Sequence, residues 1–397
     1  MRGSLERHTW LHDPGLYAPP AYRRACHYDA FIPASLVGFS ESFPSNLVGV
    51  VSDAQTAINR LNSASGPTLV PLARLLLRTE SIGSSKVEGL QLNARDLARA
   101  EVRLETGRKA SQTAAEIVAN IDAMELAIHH ASAAAVVTVD EIISIHKSLM
   151  ASAPNSGIAG IIRTEQNWIG GNNYNPCGAD FVPPPPEHVR PLLDDLCQVI
   201  DDTDLPPIVQ AGLVHAQFEA IHPFGDGNGR TGRALIHVVL RRRGLTPHYV
   251  PPISVVLASR KKEYISGLKA FTQSDVPAWL TMFAVAATQS AILADSYLIK
   301  VEELQKSWRA KLRAGPNPRQ DSVAWKLIDI LPAHPMITVP VAVAATGRSK
   351  SVVGEAFSQL EKCGVVIRSS PGDRNRMWEA NQLFDLITNL EAALPAG

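Results

Sequence analysis

Aromatic residues make up only 6% of this 397-residue chain, and neither sign of charge is in excess: 38 Lys and Arg stand against 38 Asp and Glu. A formal charge of zero excludes a global electrostatic drive towards nucleic acid or an anionic membrane, leaving only local patches. Cysteine is sparse as well. Cys26, Cys177, Cys197 and Cys363 form no CxxC pair and have no histidine nearby at metal-ligand spacing, which predicts free thiols in a reducing cytoplasm. The opening residues MRGSLERHTW lack an apolar signal core. The longest apolar stretch, residues 279–293, is broken by Thr281, Thr288, Gln289 and Ser290, so it reads as too short and too polar to span a bilayer. The expectation is a cytoplasmic protein with no membrane partner.

What is present is apolar mass. Hydrophobic residues reach 45%, and the length suits two or three domains of about 100–200 residues each. Alanine-rich stretches such as residues 113–135 point to helix. Residues 1–45 are rich in Pro, Tyr and His with little periodicity, and predict an extended arm. Helical spacing of apolar residues predicts helices over 46–62, 68–80, 92–105, 111–131, 138–149, 187–201, 207–221 and 234–243. Thr138 with Glu141 three residues on forms a capping box, and Gly244 suits the position just past a helix end. Between the fifth and sixth of these helices, residues 157–182 are rich in Gly, Asn and Pro. A loop that long in a compact domain usually carries function.

Composition shifts at RAGPNPRQ, residues 313–320, a linker by its Pro and Gly. Beyond it the pattern reads helix 322–331, strand 336–339, helices 341–346 and 349–363, strand 365–369, a turn at Pro371-Gly372-Asp373, and strand 376–380. That order predicts a winged helix-turn-helix. Arg348 and Lys350 near the recognition helix, with Arg374 and Arg376 on the wing, suit phosphate contacts. Glu355 and Glu361 share that helix, so protein docking or dimerisation is favoured over DNA binding.

One twelve-residue run carries the chemistry: His222-Pro-Phe-Gly225-Asp226-Gly227-Asn228-Gly229-Arg230-Thr-Gly-Arg233. A helix ends at a histidine, a tight glycine loop follows, and a second helix begins near Asn228. Glycines let the main chain approach a ligand. Free N–H groups at the new helix start form an anion site. Arg230 and Arg233, three apart, share one helix face and can grip phosphates. Asp226 offers an oxygen ligand to Mg²⁺, and His222 is a base with an ordinary pKa near neutrality. Together these groups describe attack on a nucleotide phosphate.

The run resembles the Fic signature HxFx(D/E)GNGRxxR at every fixed position, and His215 to Ile221 resembles the helix that precedes it. The resemblance covers roughly residues 73–283. It implies a mainly α fold: a Fic-type helical core with a small β-hairpin flap, followed here by the winged helix-turn-helix. The expected domains are residues 1–110, 111–312 and 320–397. It further implies that His222 deprotonates a Ser, Thr or Tyr hydroxyl of a target protein, that Asp226 holds Mg²⁺, and that Asn228 with the amides around Gly225, Gly227 and Gly229 holds the α-phosphate of ATP. Arg230 and Arg233 would take the β- and γ-phosphates, and AMP would pass to the target. Retention of GNGR favours AMP over phosphate as the transferred group.

Upstream, Ser84-Ser-Lys-Val-Glu88-Gly89 resembles the family's inhibitory motif (S/T)xxxE(G/N). A carboxylate at Glu88 would pair with Arg233 and misalign ATP. In the family the same glutamate can position water for AMP removal, so a hydrolase using the same site is one alternative. A DNA-binding regulator with a nucleotide-sensing core is another. Residues 163–171 and 179–186 resemble the flap, which pairs with the target's main chain. Residues 254–268 resemble the segment closing the adenine pocket, with Tyr264 at the first of its paired tyrosine positions and Ile265 at the second. A homodimer through the core or the C-terminal module is consistent with this pattern.

Overall fold

The computed structural model describes residues 3–15, 17–63, 69–202, 204–369 and 376–392. Where an extended arm was expected, the chain forms an antiparallel hairpin, β1 (Ser4–Trp10) and β2 (Cys26–Ile32), in register from Ser4 opposite Ile32 to Trp10 opposite Cys26. Helices follow: α1 (Ser45–Asn62), α2 (Leu69–Val87), α3 (Ala94–Glu105), α4 (Gln112–His129), α5 (Val139–Met150), α6 (Pro186–Asp201), α7 (Pro207–Ile221), α8 (Asn228–Arg242), α9 (Ile253–Ser259), α10 (Lys261–Thr272) and the 39-residue α11 (Val276–Ala314). The C-terminal elements are α12 (Val323–Ile330), β3 (Met336–Thr338), α13 (Val339–Thr346), α14 (Lys350–Lys362), β4 (Ile367–Arg368), β5 (Met377–Glu379) and α15 (Asn381–Ala392).

Contacts divide the chain into two compact units. One comprises Met1–Gln55, Asp122–Leu245 and Lys261–Val285; the other comprises Thr56–Ile121, Thr246–Arg260 and Ala286–Gly397. The N-terminal hairpin shares a unit with α5 to α8, while α2 and α3 share one with the C-terminal elements.

In the first unit α7 is buried from Ile208 to Phe218 on every side, as a helix apolar all round must be. Two glycines allow its neighbours to close in. A Cβ at Gly212 would lie 2.9 Å from Leu280 Cδ2, and one at Gly232 would lie 2.9 Å from the Phe218 ring. The Gly212 carbonyl accepts from Trp279 Nε1 at 2.9 Å. α5 begins with the expected capping box, Thr138 and Glu141 exchanging bonds with each other's backbone. α6 starts on Pro186, where a missing N–H costs nothing. Its last carbonyls, Val199 and Ile200, are satisfied by Gln210 Nε2.

In the second unit α2 runs seven residues past the expected end at residue 80, through Gly83, Ser84 and Ser85. Packing overrides their weak helix propensity. A Cβ at Gly83 would lie 2.6 Å from the Val255 backbone nitrogen of α9. Buried Glu80 accepts from the Ser254 N–H at 2.7 Å and from its hydroxyl, tying α2 to the start of α9. The C-terminal elements follow the order expected from the sequence, with a sheet in the order β3-β5-β4 and an added helix, α15. Phe357 of α14 stacks on Trp378 of β5 at 4.1 Å, both buried. The expected turn at residues 371–373 and Arg374 lie outside the described residues.

Two expectations are corrected. Cys26 and Cys177 are not free thiols: they form a disulfide across 151 residues, leaving Cys197 and Cys363 free. Sequence spacing gave no hint because the partners meet only through the fold. Disulfides persist where the surroundings are oxidising, so the cytoplasmic expectation loses the support it drew from cysteine usage. The stretch 279–293 was expected to be too short for a membrane span, yet it lies inside α11, a helix long and apolar enough by length and composition. Trp279, Leu280, Phe283, Ala284, Ala287, Ala291 and Ala294 are all buried in the protein, which is the pattern of a core helix.

Candidate active site

α7 ends at Ile221, and His222 turns the chain with φ 49° and ψ 61°. A left-handed conformation at a residue other than glycine costs about 1–3 kcal/mol and persists only where surroundings enforce it. Here the enforcement comes from side chains bound to the loop's backbone. Asn228 sits 2% exposed at the start of α8, its Oδ1 accepting from Phe224 N–H at 2.9 Å and its Nδ2 donating to Phe224 O at 2.8 Å. The Asn228 side chain thus closes the loop with its Oδ1 and one of its two Nδ2–H groups. Gly227, at φ 76°, has no room for a side chain: a Cβ would lie 2.9 Å from Met150 Sδ and 3.3 Å from the His146 ring. The Gly227 carbonyl takes the Thr231 hydroxyl at 2.9 Å.

Asp226 is exposed at the α8 N-terminus. Its Oδ1 accepts from Gly227 N–H at 2.6 Å and its Oδ2 from Asn155 Nδ2 at 3.1 Å. These bonds orient the carboxylate and leave lone pairs on both oxygens. The described residues hold no group of three or more His, Cys, Asp or Glu that could cage a metal. A single oriented carboxylate suits Mg²⁺, which commonly binds through one or two carboxylates plus substrate phosphates.

Arg230 and Arg233 are 4% and 1% exposed on the first turns of α8. Arg230 Nη2 lies 4.0 Å from Met150 Sδ. Arg233 also acts on His215, whose pKa is pushed down to about 3, first by burial and then by that guanidinium. His215 is thus a neutral core group, with Nε2 2.9 Å from the Tyr264 hydroxyl. Tyr264 therefore lies against the core of α7. It is 4% exposed, and its ring stacks near His215 and Trp279 in the core. Its phenol is engaged with a histidine of α7.

Four residues that the sequence did not single out hold the loop. His146 of α5 accepts the Gly160 N–H at Nδ1, 2.9 Å away, so its own proton sits on Nε2 and is donated to the Asp226 carbonyl at 3.0 Å. Its ring stacks on Phe224 at 3.7 Å and 4°. Burial pushes its pKa down to about 4, keeping it neutral near pH 7. Asn155 bonds Asp226 as described. Arg163 and Asn167, both in the flap, bond the carbonyl of His222, at 2.8 and 3.3 Å. None of these was legible as chemistry. Their partners are mostly main-chain atoms, and His146 on the apolar face of α5 carries the pattern of a core residue.

The flap itself is a narrow antiparallel contact, Ile169 opposite Phe181. Trp168 Nε1 donates to Asn172 O at 2.6 Å within it. The N-terminal hairpin fastens it: Phe31 N–H donates to Val182 O at 2.9 Å, Trp10 meets Trp168 edge-on at 5.6 Å, Tyr22 stacks on Tyr174 at 5.2 Å, and Cys26 is joined to Cys177.

Residues 136–240 match the Fic/DOC family model, and residues 48–129 match the model of the Fic/DOC N-terminal region. Residues 136–240 of this chain are thus similar to the Fic/DOC domain. A Caenorhabditis elegans protein named protein adenylyltransferase fic-1 is 31% identical over 133 residues, 33% of this chain and 23% of that one. A Nematostella vectensis protein adenylyltransferase Fic is 32% identical over 165 residues, 41% and 34% of the two chains. The chain thus spans well under half the length of these relatives. A Fic family protein of Desulfovibrio desulfuricans shares the fold with a TM-score of 0.54 at 20% identity, across 86% of this chain and 97% of that one. A Fic domain protein of Bacteroides thetaiotaomicron does so with a TM-score of 0.50 at 21% identity, across 63% and 96%. The segment that resembles the Fic signature is the loop described above, and Ser84 to Gly89, which resemble the inhibitory motif, lie at the end of α2. Ser84 is fully buried there, Asn120 Nδ2 bonds Ser81 O and Ser85 Oγ, and Gly89 ends the helix at φ 82°.

Proposed function

We propose that this protein transfers AMP from ATP to a hydroxyl of a target protein, and that Glu88 restrains it. The observation that carries the proposal is the Fic loop: within one helix-to-helix turn it gathers a histidine, an oriented carboxylate, main-chain N–H groups at a helix start and two buried arginines. His222 accepts the proton of the target hydroxyl as its oxygen attacks the α-phosphorus. The bond from that phosphorus to the bridging oxygen breaks, and pyrophosphate leaves. The N–H groups at the start of α8 and the dipole behind them favour the α-phosphate's charge. Arg230 and Arg233 bind the departing phosphates. Asp226 would hold Mg²⁺, which would supply charge neutralisation for the departing pyrophosphate. The flap edge at Ile169 receives an extended segment of the target by main-chain pairing. Glu88, whose motif resembles the family's inhibitory one, opposes this by disturbing the pose of ATP, and a shift of about 1 Å in the bound phosphates is enough to cost about 100-fold in rate.

The test uses ATP labelled at the α-phosphate, Mg²⁺ and intact mass. Glu88→Gly is expected to gain AMP on itself or on added lysate proteins about 100-fold faster than the unmodified protein. Glu88→Gly with His222→Ala is expected to gain none. Absence of AMP on all three proteins would overturn the proposal.

A further inference from the structure

Arg163 lies outside the Fic loop, and no bond-making step above uses it. It is nonetheless 8% exposed, and its guanidinium reaches four main-chain carbonyls. Two belong to the end of α7: His222 O at 2.8 Å from Nε and Ile221 O at 3.3 Å from Nη2. The other two belong to the flap, one from each limb: Glu165 O at 3.1 Å from Nη1 and Pro184 O at 2.5 Å from Nη2. Its own N–H donates to Pro223 O at 3.0 Å, beside the contact of Ile162 with Phe224. A fixed cation at a helix C-terminus is favourable in itself. More is gained here, because the left-handed turn at His222 takes its carbonyl off the helix ladder, and that carbonyl finds its donors on the flap.

We infer that Arg163 is a positioning residue that locks the base-bearing turn at His222 to both limbs of the flap, so that a docked hydroxyl and its base hold one separation. The inference rests on the adenylyl-transfer proposal for its consequence, though not for its geometry. A flap that merely covered the site would need no bond to the carbonyl of the base. The planar fork is what makes the four contacts simultaneous; a lysine places its donors on one atom and cannot span them.

The test compares Arg163→Lys and Arg163→Gln with their parent, each in the Glu88→Gly background. Three readouts are taken: thermal midpoint, binding of ATP with Mg²⁺, and the rate of self-modification by intact mass. Amide hydrogen exchange is followed alongside over residues 164–184 and 221–228. The expectation is ATP affinity within about threefold of the parent and transfer slowed about 100-fold, as displacement of the base by about 1 Å implies. Exchange is expected to accelerate in the flap and the Fic loop together, less in Arg163→Lys than in Arg163→Gln. Transfer that falls only as far as ATP affinity falls overturns the inference. So does faster exchange confined to one of the two segments. If Arg163→Gln does not fold, Arg163→Lys alone decides by the same measures. A parent that transfers no AMP counts against the adenylyl-transfer proposal, and the exchange result then decides the coupling by itself.

Discussion

The Fic loop with its flap and the C-terminal module are stabilised in opposite ways. The module is periodic: α14 buries Val353, Ala356, Phe357 and Leu360 on one face, and the short sheet closes over Phe357 through Trp378. Its order comes from side chains meeting side chains. The loop and flap have almost no periodic structure, and their order comes from side chains bound to main chain. Arg163, Asn167, Asn228 and His146 each bond backbone groups of residues 221–228. A site that must present its amides and one histidine to a ligand cannot also use them for packing, so neighbouring elements have to hold it from behind. Dense apolar packing tolerates changes that conserve volume. A bonded loop depends on individual donors and acceptors.

The largest effect is expected where the packing is densest. Phe357→Ala removes a fully buried ring stacked on Trp378, and loss of a buried phenylalanine costs about 3–5 kcal/mol. Denaturant unfolding followed by Trp378 fluorescence should show that loss, while the binding of ATP with Mg²⁺ stays within about twofold below the transition. Loss of nucleotide binding in step with the module would break the contrast, because the two regions would then stand or fall as one.

The same contrast explains what could be read without coordinates. Helices were legible because packing imposes a period: α1, α5, α6 and α7 fall within about two residues of their expected bounds, and Thr138 caps α5 as its spacing with Glu141 required. The twelve residues of the Fic loop were legible because their types co-occur, each needed for one task on a phosphate. The supports were not. Arg163 and His146 act on carbonyls, which carry no letter in a sequence. β1 and β2 are separated by fifteen residues with no tight-turn signal, so their pairing was invisible. α2 continued through Gly83 because a close approach to Val255 demanded a missing side chain, and local propensity alone stops the helix earlier. Asn228 was legible as important, while the direction of its amide was not.

A second, smaller effect concerns the flap. Reduction of the disulfide between Cys26 and Cys177 should lower the stability of the folded protein by about 2–4 kcal/mol, the usual range for a native crosslink. The aromatic contacts of Trp10 with Trp168 and of Tyr22 with Tyr174 remain after reduction. The expected picture is therefore a loosened flap and not a lost one: amide exchange across residues 168–180 accelerates, and exchange in the C-terminal module does not change. Cys26→Ser should reproduce the effect of reduction. Unaltered exchange in both would mean that the hairpin's pairing at Phe31 and Val182 holds the flap alone.

The smallest effect on stability is expected to carry a disproportionate effect on rate. Asn228→Ala strips the partner from the N–H of Phe224, a residue with no exposure at all, and one of two donors from its carbonyl, which keeps Asn167 Nδ2 at 3.2 Å. Leaving a buried backbone group without a bond costs about 1–3 kcal/mol. That is less than the loss of Phe357, and the fold should survive it. The loop's own shape should not, since the bracket from Asn228 to Phe224 spans Gly225, Asp226 and Gly227. Displacement of Asp226 and of the amides at the start of α8 by about 1 Å is expected to slow transfer in the Glu88→Gly background about 100-fold. Asn228→Asp separates the two bonds: a carboxylate still accepts from the Phe224 N–H but repels its carbonyl. If that carbonyl bond holds the loop, Asn228→Asp is as slow as Asn228→Ala; if the N–H bond does, it recovers most of the rate. Either variant transferring as fast as its parent, measured by intact mass at saturating ATP, would show that the Fic loop keeps its shape without the bracket.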